Sequence, residues 1–165
     1  MARHILKIAT AAIFLTIPVQ AQNDEDNTRG GAAVYRSLGV DRAHMRTGPS
    51  TDYPIEWVLV RKGLPLEVLR RYGRWAQVKE PDGAMGWMKS SYLSTNRTAM
   101  VIERTRTVFA QPKATAEAIY KVEPGVSGRV ISCADAWCHL DFGGKKGWLP
   151  RIHIWGTYPG EEIGG

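Results

Sequence analysis

One short motif occurs twice in this chain of 165 residues, and the duplication restricts the fold more than any other feature. In residues 73–93 a Trp opens an apolar stretch, a turn containing Gly follows, and a Gly-Trp pair opens the next stretch. Residues 136–152 repeat this order, with Trp137 in place of Trp75 and Trp148 in place of Trp87. A strand–turn–strand unit present in two copies predicts two small β domains rather than one larger fold.

The first copy is predicted over residues 38–93 as five short strands and a closing turn. Residues 43–46 and 64–69 alternate apolar and polar side chains, which is typical of strands with one buried face. Turns that contain Gly or Pro separate the strands at residues 47–50, 62–63 and 81–83. Residues 90–92 are interpreted as a single 3₁₀ turn. Short strands at this spacing, without helical periodicity, predict a small all-β barrel.

The motifs of the first copy resemble those of the bacterial SH3 (SH3b) domain family. Residues 43–50, with the sequence AHMRTGPS, are similar to the opening of such domains. The Lys-Gly pair at 62–63, the Trp-x-x-Val segment at 75–78 and the Gly-Trp to Tyr-Leu segment at 86–93 follow in the order of that family. The resemblance implies an all-β fold of two tandem small SH3-like barrels packed together.

The second copy is predicted over residues 100–156 and departs from the first at its beginning. Residues 107–112 lack the Arg-Thr-Gly-Pro opening, so the resemblance does not extend a binding role of that loop to this copy. Residues 94–99 form a polar connection too short to hold two domains apart. Because domains this small are marginally stable alone, packing of the two barrels or a covalent link would stabilise them.

The first 21 residues have the features of a secretory signal peptide. Arg3 and Lys7 precede an uncharged apolar run over residues 8–19, and small residues precede a predicted cleavage after Ala21. The run is well short of the roughly 20 residues that span a bilayer, so no stable membrane anchor is expected after cleavage. We therefore expect a periplasmic or secreted protein. Residues 22–37 are predicted to be a disordered polar leader, and residues 157–165 an exposed tail.

The two cysteines, Cys133 and Cys138, allow three interpretations. They flank a predicted hairpin turn, so in an oxidising compartment we expect a disulfide across it. A haem attachment site is the second interpretation, because His139 follows Cys138, but the spacing is wider than Cys-x-x-Cys-His and no helix carries it. A Cys138 nucleophile is the third, but neighbours on a strand point to opposite faces, so His139 cannot act as its base.

Charge and motif content argue against several other functions. The formal net charge is +6, or +4 without Arg3 and Lys7, which suits an acidic partner such as a cell-wall polymer or a membrane surface, or simply solubility. The basic and aromatic cluster at residues 70–75 is interpreted as a solvated loop, so no nucleic-acid partner is predicted. No metal-ligand spacing or phosphate-binding loop is present in the sequence, and we predict no cofactor, no metal and no catalytic residue.

Aromatic and basic residues of the first copy give the predicted binding site. In SH3-like barrels such residues line a shallow peptide groove, whereas Trp87 and Trp148 are expected in the cores. The predicted binding residues are Tyr53, Tyr92, Trp57, Trp75, Arg46 and Arg71, with Arg70 as a further charge.

The resemblance therefore implies a non-catalytic exported binding module that recognises peptidoglycan or envelope peptides. The alternative is an envelope protein-interaction or scaffold module with no cell-wall ligand. Because the chain ends soon after the second copy, we expect no attached hydrolase.

Overall fold

The computed structural model of the protein describes residues 33–164. These residues form two antiparallel seven-stranded sheets and two short 3₁₀ turns, one sheet for each copy of the repeat. The predicted all-β fold with two tandem SH3-like barrels packed together is confirmed. The predicted signal peptide and the first part of the predicted leader lie outside the described residues. No helix in the described part of the chain is long and apolar enough to cross a membrane.

The first barrel is built from strands β1 to β7. Their spatial order is β3-β2-β6-β5-β4-β1-β7, with a 3₁₀ turn over Ser90–Tyr92 before the last strand. The strands are β1 Val34–Leu38, β2 Ala43–Arg46, β3 Ile55–Leu59, β4 Pro65–Tyr72, β5 Trp75–Lys79, β6 Met85–Lys89 and β7 Leu93–Ser94.

The second barrel repeats this topology with strands β8 to β14. The order is β10-β9-β13-β12-β11-β8-β14, with a 3₁₀ turn over Arg151–His153. The strands are β8 Thr98–Val101, β9 Arg106–Phe109, β10 Ala118–Val122, β11 Ser127–Ala134, β12 Trp137–Phe142, β13 Lys145–Pro150 and β14 Ile154–Trp155. The register also repeats, because Ala43 pairs with Leu59 as Arg106 pairs with Val122.

Each barrel has its own apolar core, and the repeated Gly-Trp pairs serve these cores. A Cβ atom at Gly86 would overlap the side chain of Met45, and one at Gly147 would overlap Val108. Only glycine therefore lets β6 and β13 pass so close to the buried side chains of β2 and β9. Trp87 is buried, as predicted for a core residue.

Trp148 differs from the prediction of a core residue. It is half-buried and its ring stacks on His139, with the centroids 4.8 Å apart. The two rings lie on neighbouring strands, because His139 pairs with Trp148 across β12 and β13. The Trp of the second Gly-Trp pair thus covers a sheet surface rather than filling the centre of its barrel.

The predicted disordered leader over residues 22–37 is wrong for its last residues. Val34–Leu38 form β1, which pairs with β4 and β7 and closes the first sheet. The side chains of Tyr35, Ser37 and Leu38 are buried. The predicted loop over residues 70–74 is also shorter than expected, because β4 continues to Tyr72.

The predicted exposed tail over residues 157–165 is exposed only in part as far as it is described, because Thr157 is buried and Tyr158, Glu161 and Ile163 are half-buried. The ring of Tyr158 packs against that of Tyr35 of β1 at an angle of 42°, with the ring centroids 4.6 Å apart, and its hydroxyl donates a hydrogen bond of 3.0 Å to Glu67 of β4. Arg97 holds Glu161 through two hydrogen bonds of 2.8 and 3.0 Å, and this contact keeps the pKa of Glu161 below its ordinary value. The tail therefore fastens the second barrel to the first.

The predicted disulfide is present. Cys133 and Cys138 face each other across β11 and β12, with an S–S distance of 2.04 Å. Both sulfur atoms are in the bond, which leaves no free thiol in the described residues for haem attachment or nucleophilic catalysis. On the loop-entropy model so short a ring contributes about 2 kcal/mol to stability. The backbone of Cys133 also exchanges two hydrogen bonds with Ile163, so the bond supports the packed tail.

Candidate functional site

The first barrel has an open hollow between the loop after β2 and the hairpin that joins β4 to β5. Its volume is about 590 Å³. We call it the first-barrel groove, and its lining residues are Pro49, Ser50, Thr51, Arg74, Trp75, Lys89, Ser90 and Ser91. A smaller hollow of about 320 Å³ shares Pro49 with it and is lined by Thr47, Gly48, Tyr53, Arg70, Tyr72 and Trp87.

The loop over residues 47–54 forms one wall of the groove and is held by its own contacts. The Nη1 atom of Arg46 donates hydrogen bonds of 3.0 Å to the carbonyl of Thr51 and 2.6 Å to the carbonyl of Tyr53. The ring of Tyr53 lies so close to Gly48 that a Cβ atom there would overlap it. Arg46, which is predicted to offer its charge to a ligand, therefore also holds this loop in place.

The charges at the groove come from other residues than the predicted ones. Arg74 and Lys89 line it together with Trp75, and within residues 33–164 neither forms an ion pair. Arg71 donates a hydrogen bond of 3.1 Å to the hydroxyl of Ser90, which lies at the groove. Arg70 instead lies over the ring of Trp87, 5.2 Å from its centroid. The groove thus combines an aromatic face with two free positive charges.

The sequence analysis missed Arg74 and Lys89, although one signal was available. Lys89 pairs directly with Trp75 across β5 and β6, and Arg74 immediately precedes Trp75. The hairpin predicted from the repeated motif pairs the strand that begins at Trp75 with the strand that contains the Gly-Trp pair. This pairing would have placed Arg74 and Lys89 beside Trp75.

The structure brings together only some of the predicted binding residues. Trp75 is half-buried and lines the first-barrel groove, and Tyr53 is exposed in the smaller hollow. Trp57 is exposed on β3, outside the residues that line either hollow. Tyr92 packs against the core of the first barrel and is likewise absent from both linings. A single groove therefore does not contain all four predicted aromatic residues.

The second barrel has a hollow at the equivalent position, with different chemistry. Trp137 pairs with Pro150 as Trp75 pairs with Lys89, so a proline replaces the lysine of the first barrel. The volume is about 360 Å³. We call it the second-barrel groove, and its lining residues are Thr105, Arg106, Thr107, Phe109, Ala114, Trp137, Pro150 and His153.

Comparison with protein families agrees with this architecture. A family model described as bacterial SH3 domain matches residues 39–95 and 104–156. The chain belongs to the bacterial SH3 domain family. Each matched segment covers one barrel apart from its first strand, β1 or β8, so the resemblance of the motifs is confirmed in both copies.

One curated relative aligns with most of the chain. It is the putative N-acetylmuramoyl-L-alanine amidase YrvJ of Bacillus subtilis (strain 168), which is 25% identical over 128 residues. The alignment covers 71% of this chain and 24% of the relative, so the chain spans about a quarter of that protein.

Similar chains also occur among solved structures. One is NlpC1 from Trichomonas vaginalis, with 11% identity, coverage of 80% of this chain and 49% of that chain, and a TM-score of 0.35. Another is an NlpC/P60 family protein from Bacillus cereus ATCC 10987, with 16% identity, coverage of 76% and 57%, and a TM-score of 0.33. At these scores the fold assignment rests on the family match and the strand topology.

The prediction that the protein is not an enzyme is contradicted by these comparisons. The curated relative that shares 128 residues with this chain is named as an amidase, which is an enzyme. The prediction rested on a search for catalytic residues within the repeats and on the position of the chain end. Neither observation takes into account the relative's remaining sequence, since the alignment with this chain covers only 24% of that protein.

Proposed function

We propose that the protein acts at the bacterial cell wall and that the first-barrel groove binds peptides of peptidoglycan or of envelope proteins. The observation that carries the proposal is that Trp75 lines a groove of about 590 Å³ together with Arg74 and Lys89, neither of which forms an ion pair within residues 33–164. The name of the amidase relative supports it, since that enzyme is named for a bond between a sugar acid and a peptide. We further propose export to the periplasm or the medium through the signal peptide of residues 1–21.

The chemistry of the groove suits a peptide that carries a carboxylate. The face of Trp75 offers apolar contact to a peptide backbone or a small side chain, and Trp is prominent among residues that dominate binding energy. Arg74 and Lys89 offer charged donors to a carboxylate, and charged hydrogen bonds are stronger than neutral ones. Ser50, Thr51 and Ser90 add hydroxyl groups that suit the polar backbone of the ligand.

A protein-interaction role is the second candidate, and β3 favours it. This strand lies at the edge of the first sheet, where one side has no neighbouring strand within the described residues. Ile55, Trp57 and Val58 expose large apolar side chains along it, and Val60 does so directly after it. An exposed apolar edge strand is suited to pairing with a strand of a partner protein.

Co-sedimentation with purified murein sacculi tests the cell-wall proposal. We expect the protein to be retained and Trp75→Ala to weaken retention roughly tenfold or more, because a Trp at the centre of a site supplies much of the binding energy. The double variant Arg74→Ala/Lys89→Ala is expected to weaken it by a similar factor. The double variant Lys121→Ala/Lys145→Ala removes the same charge from exposed positions of the second barrel and serves as the control.

Thermal unfolding of each variant separates a binding defect from a folding defect. Trp75→Phe keeps an aromatic face and is expected to retain most of the binding. Absence of retention for the unmodified protein would contradict the proposal. Equal losses in the two double variants would show attraction by net charge alone and would contradict a role for this groove.

A further inference from the structure

The second barrel contains a buried arginine where the first barrel has a small apolar residue. Arg106 opens β9 at the register position that Ala43 occupies in β2, and both side chains are buried. Arg106 is only 7% exposed, and it lines the second-barrel groove. Its Nε atom is buried and makes no hydrogen bond to any of the described residues.

A guanidinium in this position has to be satisfied or it destabilises the fold. Burial of a charged group is unfavourable unless it is paired, and unpaired buried donors are rare in proteins. The Nη2 atom of Arg106 has one partner, the carboxylate of Glu103, at 2.8 Å. Nε and Nη2 lie on the same edge of the guanidinium group, and Glu103 accepts a hydrogen bond from Nη2 only. A carboxylate that accepts from both atoms would satisfy this edge completely.

The contact with Glu103 has the features of a replaceable one. Its side chain is 72% exposed, so water can take over its carboxylate at little cost. Its backbone has a φ of 65°, in the left-handed region that residues with a Cβ atom rarely adopt. Glu103 therefore pairs with Arg106 through an exposed side chain on a residue whose backbone is in a strained conformation.

We propose that the second-barrel groove is a separate binding site for a peptide carboxylate, in which the carboxylate displaces Glu103 from Arg106. Trp137 and Phe109 form the apolar side of this site, with their rings edge to face and 5.8 Å between centroids. Thr105 and Thr107 supply hydroxyl groups along its rim. This site does not depend on the role of the first-barrel groove.

The electrostatics of the groove agree with an anionic ligand. Burial, and then the positive charges of Arg106 and Arg104, hold the pKa of His153 below its ordinary value, while Glu103 acts in the opposite direction. His153 is therefore neutral at pH 7. The net influence of its neighbours is positive, which favours a carboxylate in the groove.

The test uses two peptides that differ only in charge. Acetyl-Ala-Ala-Ala with a free carboxylate and its C-terminal amide are titrated into the ¹⁵N-labelled full chain, and the indole N–H signal of Trp137 is followed by NMR. The signal is assigned by its loss in Trp137→Phe. We expect the carboxylate peptide to shift it and to bind roughly tenfold more tightly than the amide, since a charged hydrogen bond is lost with the amide.

Variants at the two charged residues distinguish a ligand site from a structural ion pair. Arg106→Ala, which installs the residue found in the first barrel, is expected to weaken the carboxylate peptide roughly tenfold. Arg106→Gln serves the same purpose if the alanine variant does not fold. Glu103→Gln is expected to strengthen binding several-fold, because it removes the competing carboxylate, and Lys145→Ala is the control without effect.

Several results would overturn this proposal. They are an unshifted Trp137 signal, equal affinity for the two peptides, unchanged affinity in Arg106→Ala or Arg106→Gln, and weaker affinity in Glu103→Gln. The signal of Trp75, followed in the same spectra, reports on the first-barrel groove separately. Failure at one groove is thus distinguished from failure at the other.

Discussion

Replacement of Tyr35 by Ala is expected to lower the free energy of unfolding by about 3–5 kcal/mol. Its buried ring lies edge to face with Trp155 at 4.8 Å and packs against the tilted ring of Tyr158 at 4.6 Å. Arg97 also lies over this ring, 5.7 Å from its centroid. The substitution therefore removes a ring that contacts Trp155 of the second barrel, Tyr158 of the tail and Arg97 of the connection between the barrels. Urea denaturation followed by Trp fluorescence measures the loss.

Tyr35→Phe is the matched control, because it keeps the ring and removes only the hydroxyl group. Burial, followed by the charge of Glu67, raises the pKa of Tyr35 to about 12, so the hydroxyl is neutral at physiological pH. We expect the Phe variant to stay close to the unmodified protein in stability. A loss below about 1 kcal/mol in Tyr35→Ala, the size of an ordinary surface effect, would mean that the barrels do not support each other through this ring.

Replacement of Leu140 by Ala is the second large effect, with an expected loss of about 2–5 kcal/mol. Leu140 lies on β12 in the core of the second barrel and is 0% exposed. The truncated side chain leaves a cavity that two tightly paired neighbouring strands cannot fill. Because small proteins have only about 5–15 kcal/mol of total stability, calorimetry should show a clear fall in the melting temperature.

Ile152→Ala gives the comparison for this core variant. Ile152 is an aliphatic residue of the same barrel and is 77% exposed, so its truncation removes little buried surface. We expect a change within about 0.5 kcal/mol. Equal destabilisation by the two substitutions would contradict the assignment of Leu140 to the core.

The sequence was sufficient to predict those features that depend on local pattern. Alternation over residues 43–46 and the repeated Gly-Trp pairs locate strands whose partners are close in the chain. The disulfide was predictable for the same reason, since Cys133 and Cys138 replace Arg71 and Ala76, which pair across the same hairpin. The turn sets the register of a hairpin, and equivalent positions of two repeats are expected to have the same register.

Features that depend on distant partners could not be predicted in this way. β1 follows a polar segment, and its pairing with β4 and β7 joins residues far apart in the sequence. The packing of the tail depends on the contact of Tyr158 with Glu67, which is 91 positions away. Neither segment carries a local pattern strong enough to show that it is ordered.

The candidate site was predicted only in part for a related reason. Trp75 was identified from the repeated motif, whereas Arg46 was assigned to a ligand although it holds the adjacent loop. Whether an arginine on a strand binds a ligand or a neighbouring loop depends on the conformation of that loop, which the sequence does not give. Whether the protein has enzymatic activity could not be decided by this reasoning, because the alignment covers only 24% of the related amidase and about three quarters of that protein has no counterpart here.

The measurement that most directly tests the central claim is a chemical-shift map of the labelled protein with soluble peptidoglycan fragments that carry the stem peptide. The account predicts that shifts in the first barrel are concentrated at Ser50, Thr51, Arg74, Trp75, Lys89 and Ser90, and that Trp75→Ala weakens the binding they report roughly tenfold or more. Shifts confined to the exposed edge strand β3, or no shifts at concentrations that saturate binding to sacculi, would contradict it.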